Sequence, residues 1–268
     1  MNKPNFAQLL NDAINPANER KFNQAYRAFH NYSVGNQYLA ACQLDKIGPI
    51  ATFKQWQEKG RQVKKGSKAI ALYMPFMVSK KDQDGNPILD SDGKEVKVQV
   101  FGLKNNWFSF YQTEGEDVDP MATADFGEFD YQKALDALGI QMVDFEMANG
   151  NAQGYATTGN RIAINPMASL PHKTTFHEMA HQLLGHLAEA NAAVSGEPLV
   201  LASGTSDRSL QEVEAESVAF ICCASLGLSG LPESRNYIQS YLPQVGEIPE
   251  KSCRAIFSAA DKILKAGR

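Results

Sequence analysis

The chain has 268 residues, 43% of them hydrophobic and 21% charged, the balance of a soluble globular protein long enough for two domains. No apolar run approaches bilayer length, and the first twenty residues lack the apolar core and cleavage site of a secretion signal. A cytoplasmic location and no membrane partner are therefore expected. The net charge of −4 excludes a globally basic nucleic-acid coat, but ten Lys or Arg residues against two acids fall between Arg20 and Lys68.

In chain order, Phe6, Leu9, Leu10 and Ala13 recur at helical spacing until Asn15-Pro16 ends the run. Phe22, Tyr26 and Phe29 mark a second helix. Ser33, Gly35 and Asn36 then turn the chain into a third, through Leu39 and Cys42. Thr52 is placed to cap a short helix, FKQWQEKG, that stops at Gly60. The period then shortens. Lys68 to Val78 reads as a strand, which Pro75 assigns to an edge or a bulge. Asp84-Gly85 and Asp92-Gly93 are turn signals, and alternation from Val96 towards Trp107 and Phe110 gives a further strand. Six acids and no base between Glu114 and Glu128 mark a linker. It sets an expected boundary between domains 1–120 and 121–268.

Beyond the linker, Tyr131 to Leu138 reads as a helix closed by Gly139, followed by a strand over Ile140 to Glu146 and a hairpin or edge strand over Tyr155 to Ile164. A histidine-bearing helix opens near Pro171 and Thr174, and Asn191 to Asp207 is a small, polar loop after it. Helices from Ser209 to Gly227 and from Glu250 to Ala266 complete the pattern, so the fold class is α+β. The four cysteines form no C-x-x-C pair and read as buried reduced thiols.

The stretch TTFHEMAHQLLGH organises the second half. Phe176, Met179, Ala180, Leu183, Leu184 and Leu187 form an apolar helical stripe, with His177 and His181 four residues apart on its flank. Two imidazoles one turn apart can reach one metal ion, and Glu178 between them can accept a proton from water. His186, five residues beyond His181, lies about 140° round a regular helix and reads as a helix-end or surface residue. No histidine follows it, so the third ligand is sought among carboxylates. Glu212 and Glu216 share a helical face, Glu212 expected as ligand and Glu216 hydrogen-bonded to a ligand histidine, with the two roles open to exchange. Glu214 points about 200° from Glu212 and reads as a solvated residue. Two imidazoles and a carboxylate fit one catalytic Zn2+. Tyr155 and His172 are the candidates for supporting a developing oxyanion.

YSVGNQYLAACQ, ATFKQWQEKGRQVKKGSKAIALY, FGLKNNWFSFYQTEGE, FHEMAHQLLGH and EVEAESVAFICCASLG together resemble the plasmid antirestriction protein ArdC family, through most of residues 20–230. The resemblance implies a single-stranded-DNA-binding domain followed by a zincin-like metallopeptidase domain. The family's E-x-x-A-E pattern falls on Glu212, Ala215 and Glu216. The chain departs from the family's Trp- and Arg-rich start, where FNQAYRAFHNYSVGN uses Phe and Tyr. Single-strand binding needs cations for phosphates and aromatic faces for bases. Arg27, Lys54, Arg61, Lys64, Lys65 and Lys68 supply the first. Tyr32 and Trp56 supply the second, with Tyr26 and Trp107 as further aromatics and burial in the core as the alternative for each Trp. The implied function is DNA protection linked to a plasmid or mobile element, acting on single-stranded DNA and on a protein substrate. The alternatives are a DNA-protecting protein with a non-catalytic metal domain, or a cytosolic peptidase that cleaves a repressor-type regulator.

Overall fold

The computed structural model describes residues 5–117, 127–146, 152–187, 205 and 207–268. Most of the acidic linker and most of the expected polar loop after residue 190 lie outside them. The chain divides into two compact units, Gly48–Pro120 and the combination of Phe6–Ile47 with Met121–Arg268, apart from the first five residues. This corrects the expected 1–120 and 121–268 division, because the first three helices pack into the second unit.

The first unit contains β1 (Ile50–Thr52), α4 (Phe53–Glu58), β2 (Arg61–Val63), β3 (Ile70–Ser79), β4 (Lys97–Ser109) and β5 (Thr113–Gly115). One antiparallel sheet has the order β1-β4-β3, and β2 pairs with β5. Pro75 sits on β3, an edge strand, the kind of strand that tolerates a proline. The two Asp-Gly turns lie in the β3–β4 connection. In each, one aspartate accepts the backbone N–H groups two and four residues further on: Asp82 from Asp84 and Asn86, Asp90 from Asp92 and Lys94. Thr52 caps α4 in a reciprocal capping box with Gln55.

In the second unit, α1 (Phe6–Ile14), α2 (Glu19–Ala28) and α3 (Val34–Cys42) precede α5 (Tyr131–Leu138). The strands β6 (Gln141–Met142), β7 (Gly154–Thr157) and β8 (Arg161–Ile164) form a small sheet of order β6-β8-β7. The strand expected over 140–146 is thus only two residues long. Four helices follow among the described residues: α6 (Pro171–Leu183), α7 (Arg208–Leu226), α8 (Leu231–Val245) and α9 (Glu250–Ala266). The helix α7 is buried almost all round, from Leu210 to Ser225, and is the axis of this core. Tyr38 of α3 stacks on Phe22 of α2 at 3.9 Å, and its hydroxyl donates to the Ile221 carbonyl and meets Ser225 Oγ. Asn23 Nδ2 donates to the Ser225 carbonyl. These contacts are why residues 6–47 belong with α7: burying large side chains such as Phe22 and Tyr38 contributes roughly 2 kcal/mol each.

Candidate metal centre

Pro171 takes the first turn of α6, where a missing N–H is harmless, and Phe176, Met179 and Ala180 are completely buried beneath it. That anchoring turns His177 and His181 towards a cleft of about 790 Å³. The helix ends at Leu183, earlier than the apolar stripe implies, because Gly185 adopts φ 75° and turns the chain. On the other side of the cleft lies α7, carrying three glutamates at alternate positions.

His177 Nε2 and His181 Nε2 lie 3.1 Å apart, and Glu212 brings its carboxylate oxygens 3.4 Å from the first and 3.8 Å from the second. The three ligand atoms fall within 4.8 Å of one another, and this is the one His, Cys, Asp or Glu cluster among the described residues able to hold a cation. Glu216 does not join it. Its Oε2 lies 2.9 Å from His177 Nδ1, on the far side of that ring, and its Oε1 takes Lys173 Nζ at 2.5 Å. Glu212 therefore stands where a ligand stands, and Glu216 where a partner orients a ligand.

Electrostatics sharpen the division. Burial pulls His177 towards neutrality, but Glu212 and Glu216 outweigh it and raise the ring to about 9. Burial, with the nearby His177 and His186, lowers His181 to about 3, so its lone pair stays available. Despite burial, His177 and Lys173 hold Glu216 down at about 2, and His177 also lowers Glu212. Glu178 is raised to about 7, by burial first and by Glu212 and Glu216 besides, against the opposing charge of His177. Two imidazole nitrogens and a carboxylate converging on one point fit a divalent cation of borderline character once His177 gives up its extra proton, and a buried carboxyl poised near neutrality fits a proton carrier beside it.

Glu214 corrects a sequence expectation. It is fully buried, and its Oε2 lies 2.8 Å from His186 Nε2. His186 Nδ1 in turn lies 2.8 Å from His181 Nδ1, with the His186 side chain 2% exposed. Neither residue is a surface group. The oxyanion candidates also change. Tyr155 turns its hydroxyl to the Asp144 carbonyl, and His172 Nε2 meets the Ser229 carbonyl. Tyr237, on a helix with no motif in the sequence, instead directs its hydroxyl to Glu212 Oε2 at 3.4 Å.

The cleft has one further wall. The strand β7 pairs only with β8 among the described strands, and Gln153, Gly154, Tyr155 and Ala156 line the cleft along it. Gln182 of α6 donates to the carbonyls of Thr157 and Arg161, tying this hairpin to the histidine helix. Gly154 allows the close approach, since a Cβ there would meet Thr174 Cγ2 at 2.7 Å and the Ala163 carbonyl at 2.9 Å.

The residues expected to contact DNA separate. Lys54, Lys64, Lys65 and Lys68 lie on the first unit and are all exposed. Trp56 is 1% exposed and donates Nε1–H to the Phe108 carbonyl, so it is a core residue and cannot stack on a base. Arg61 is buried, bonded to Thr113 Oγ1 and to main-chain carbonyls, with its guanidinium 4.2 Å from the Phe110 ring centroid. It is structural too. Arg27 and Tyr32 both belong to the second unit. Phe53, 45% exposed beside Lys54, is an aromatic face that no sequence motif marks.

A family profile described as the N-terminal domain of anti-restriction factor ArdC matches residues 9–110. No curated protein matches the chain. The crystal structure of metal-free antirestriction protein ArdC from plasmid R388 is similar with a TM-score of 0.54 at 22% identity, over 98% of this chain and 94% of that one. The Mn(II)-bound crystal structure of the same ArdC gives 0.53 at 20% identity, over 98% and 96%. Residues 9–110 thus match the N-terminal domain of the ArdC family, and the chain shares an α+β fold with the ArdC of plasmid R388 along its length.

Proposed function

We propose that this protein is a divalent-cation-dependent peptidase, with Zn2+ the expected ion, joined to a surface that holds single-stranded DNA. One observation carries this reading above all. His177, His181 and Glu212 converge beside a buried Glu178, in a cleft walled by a strand edge unpaired among the described residues. The second unit is then a zincin-like domain. A bound cation supplies Lewis acidity, which polarises a carbonyl and acidifies water. The protein's own groups do the rest. The outer edge of β7 pairs with an extended peptide and sets the scissile bond across the cleft. Glu178, raised towards neutrality, accepts a proton from the attacking water and returns it to the leaving amine. Tyr237 O–H lies within reach of the same space and can donate to the carbonyl oxygen as charge develops there.

On the first unit, Lys54, Lys64, Lys65 and Lys68 offer cations to phosphates, with Phe53 as a stacking face. The ArdC of plasmid R388 is an antirestriction protein, and the corresponding proposal here is DNA protection for a plasmid or mobile element, inside the cytoplasm. No helix among the described residues is long and apolar enough to cross a membrane. The test is the Glu178→Gln variant, loaded with Zn2+ or Mn2+ and assayed for cleavage of protein substrates with and without single-stranded DNA. Loss of cleavage with DNA affinity intact is expected. Undiminished cleavage by the variant would overturn the peptidase reading, and DNA protection without any cleavage by the wild type would favour a non-catalytic metal domain.

A further inference from the structure

Glu214 and His186 form a buried pair that the peptidase mechanism does not use. Burying a carboxylate costs several kcal/mol, and one contact offsets little of it. Yet Glu214 is fully buried, its Oε2 meets only His186 in the network around the site, and its Oε1 has no partner among the described residues. Stability does not account for a carboxylate placed there. The direction of the hydrogen bonds does.

A carboxylate accepts, so the 2.8 Å contact requires His186 to donate from Nε2. In the neutral form of His186 the single proton sits on Nε2 and leaves a lone pair on Nδ1, whereas a doubly protonated ring would reverse the chain. The 2.8 Å contact between His186 Nδ1 and His181 Nδ1 then requires His181 to donate from Nδ1. The lone pair of His181 is left on Nε2, which is the atom facing His177 Nε2 and Glu212. The polarity of the whole chain is set at its buried end. His177 has a separate neighbour, Glu216 Oε2, 2.9 Å from its Nδ1.

We infer that Glu214 and His186 are positioning residues for the metal centre: through two imidazoles in series, the buried carboxylate fixes the tautomer in which His181 offers Nε2 to a cation. The inference rests on the metal-centre reading of His177, His181 and Glu212, and not on proteolysis. The end of the helix at Gly185 is part of the device, because its left-handed φ of 75° is what lets a residue five positions past His181 return to that ring.

The experiment uses the full-length protein and two readouts that need no turnover. The first is affinity for Zn2+ and for Mn2+ alone, by competition with a chelator of known strength. The second is the tautomer of His181 in the metal-free protein, read from nitrogen-15 couplings of the imidazole rings. Glu214→Met replaces the carboxylate with an apolar side chain of similar length and leaves His186 Nε2 without its acceptor. It is expected to lower the melting temperature of the metal-free protein, to weaken cation binding about 10- to 100-fold, and to move proton density on His181 from Nδ1 to Nε2. Glu214→Gln and His186→Gln keep an acceptor and a donor–acceptor pair in place, and both are expected to retain most of the affinity. Wild-type affinity in Glu214→Met overturns the inference. So does a wild-type His181 protonated on Nε2, a result that stands even if the Met variant fails to fold. Loss of proteolysis alone, with affinity and tautomer as expected, would count against the peptidase reading and leave the positioning role intact.

Discussion

Glu216 and Glu212 meet the same imidazole from opposite sides, Glu216 Oε2 2.9 Å from His177 Nδ1 and Glu212 Oε2 3.4 Å from His177 Nε2. Four residues apart on α7, they share a face, and the proposed metal centre gives them different tasks. Glu212→Ala is expected to remove a ligand and abolish tight cation binding. Glu216→Ala leaves the ligand set whole and is expected to weaken binding about 10- to 100-fold, the usual effect of removing a group that orients a ligand. Titration of both variants with Zn2+ checks the order. Equal losses, or a larger loss at Glu216, would exchange the two roles.

Cation loading depends on pH through His177. Its two carboxylate neighbours raise the ring to about 9 in the metal-free protein, and ligation requires that proton to leave. Below about pH 9 one proton is released per cation bound, and affinity falls roughly tenfold for each unit of acidification. The sign for folding is the reverse. A raised imidazole stabilises the metal-free fold fully below its ordinary value near 6.5, and that contribution disappears as pH rises through about 9. Calorimetric titration in buffers of different ionisation enthalpy measures the released proton.

The exposed lysines and the buried tryptophan of the first unit should behave oppositely. Lys64→Ala with Lys65→Ala is expected to lower affinity for single-stranded oligonucleotides and flatten its salt dependence by about 0.7 for each phosphate that goes unneutralised. Trp56→Ala is expected to cost about 3–5 kcal/mol of stability, because it empties a fully enclosed site and orphans the Phe108 carbonyl. Binding isotherms across salt concentrations and chemical denaturation separate the two effects.

Gly154 sets how closely the strand edge approaches the histidine helix. A Cβ at this position meets backbone at the Ala163 carbonyl as well as Thr174 Cγ2, and backbone cannot rotate away. Gly154→Ala is expected to cost about 1–3 kcal/mol and to move β7 relative to α6. Thermal melts and peptide binding to the metal-loaded protein check both consequences.

The histidine helix, the Glu212/Glu216 face and the capped helix after Thr52 are legible in sequence because each depends on spacing along one regular element. His186 and Glu214 are not. On regular helices His186 turns away from His181, and Glu214 from Glu212. The left-handed turn at Gly185 breaks that regularity and brings His186 to Glu214. Helix α8, which carries Tyr237, is disguised by Gly230, Pro232 and Pro243. Yet a proline in the first turn of a helix removes no bond. Trp56 and Arg61 mislead for another reason: both side chains suit a core and a nucleic-acid surface equally, and only the neighbours in space decide.

The claim on which the rest depends is the ligand set. Crystals of the full-length protein loaded with Zn2+, measured at the zinc absorption edge, locate the ion and its partners directly. The expected result is one anomalous peak about 2.0–2.2 Å from His177 Nε2, His181 Nε2 and a Glu212 oxygen, with Glu216 still on His177 Nδ1. A peak elsewhere, or one coordinated by Glu216 in place of Glu212, would contradict it.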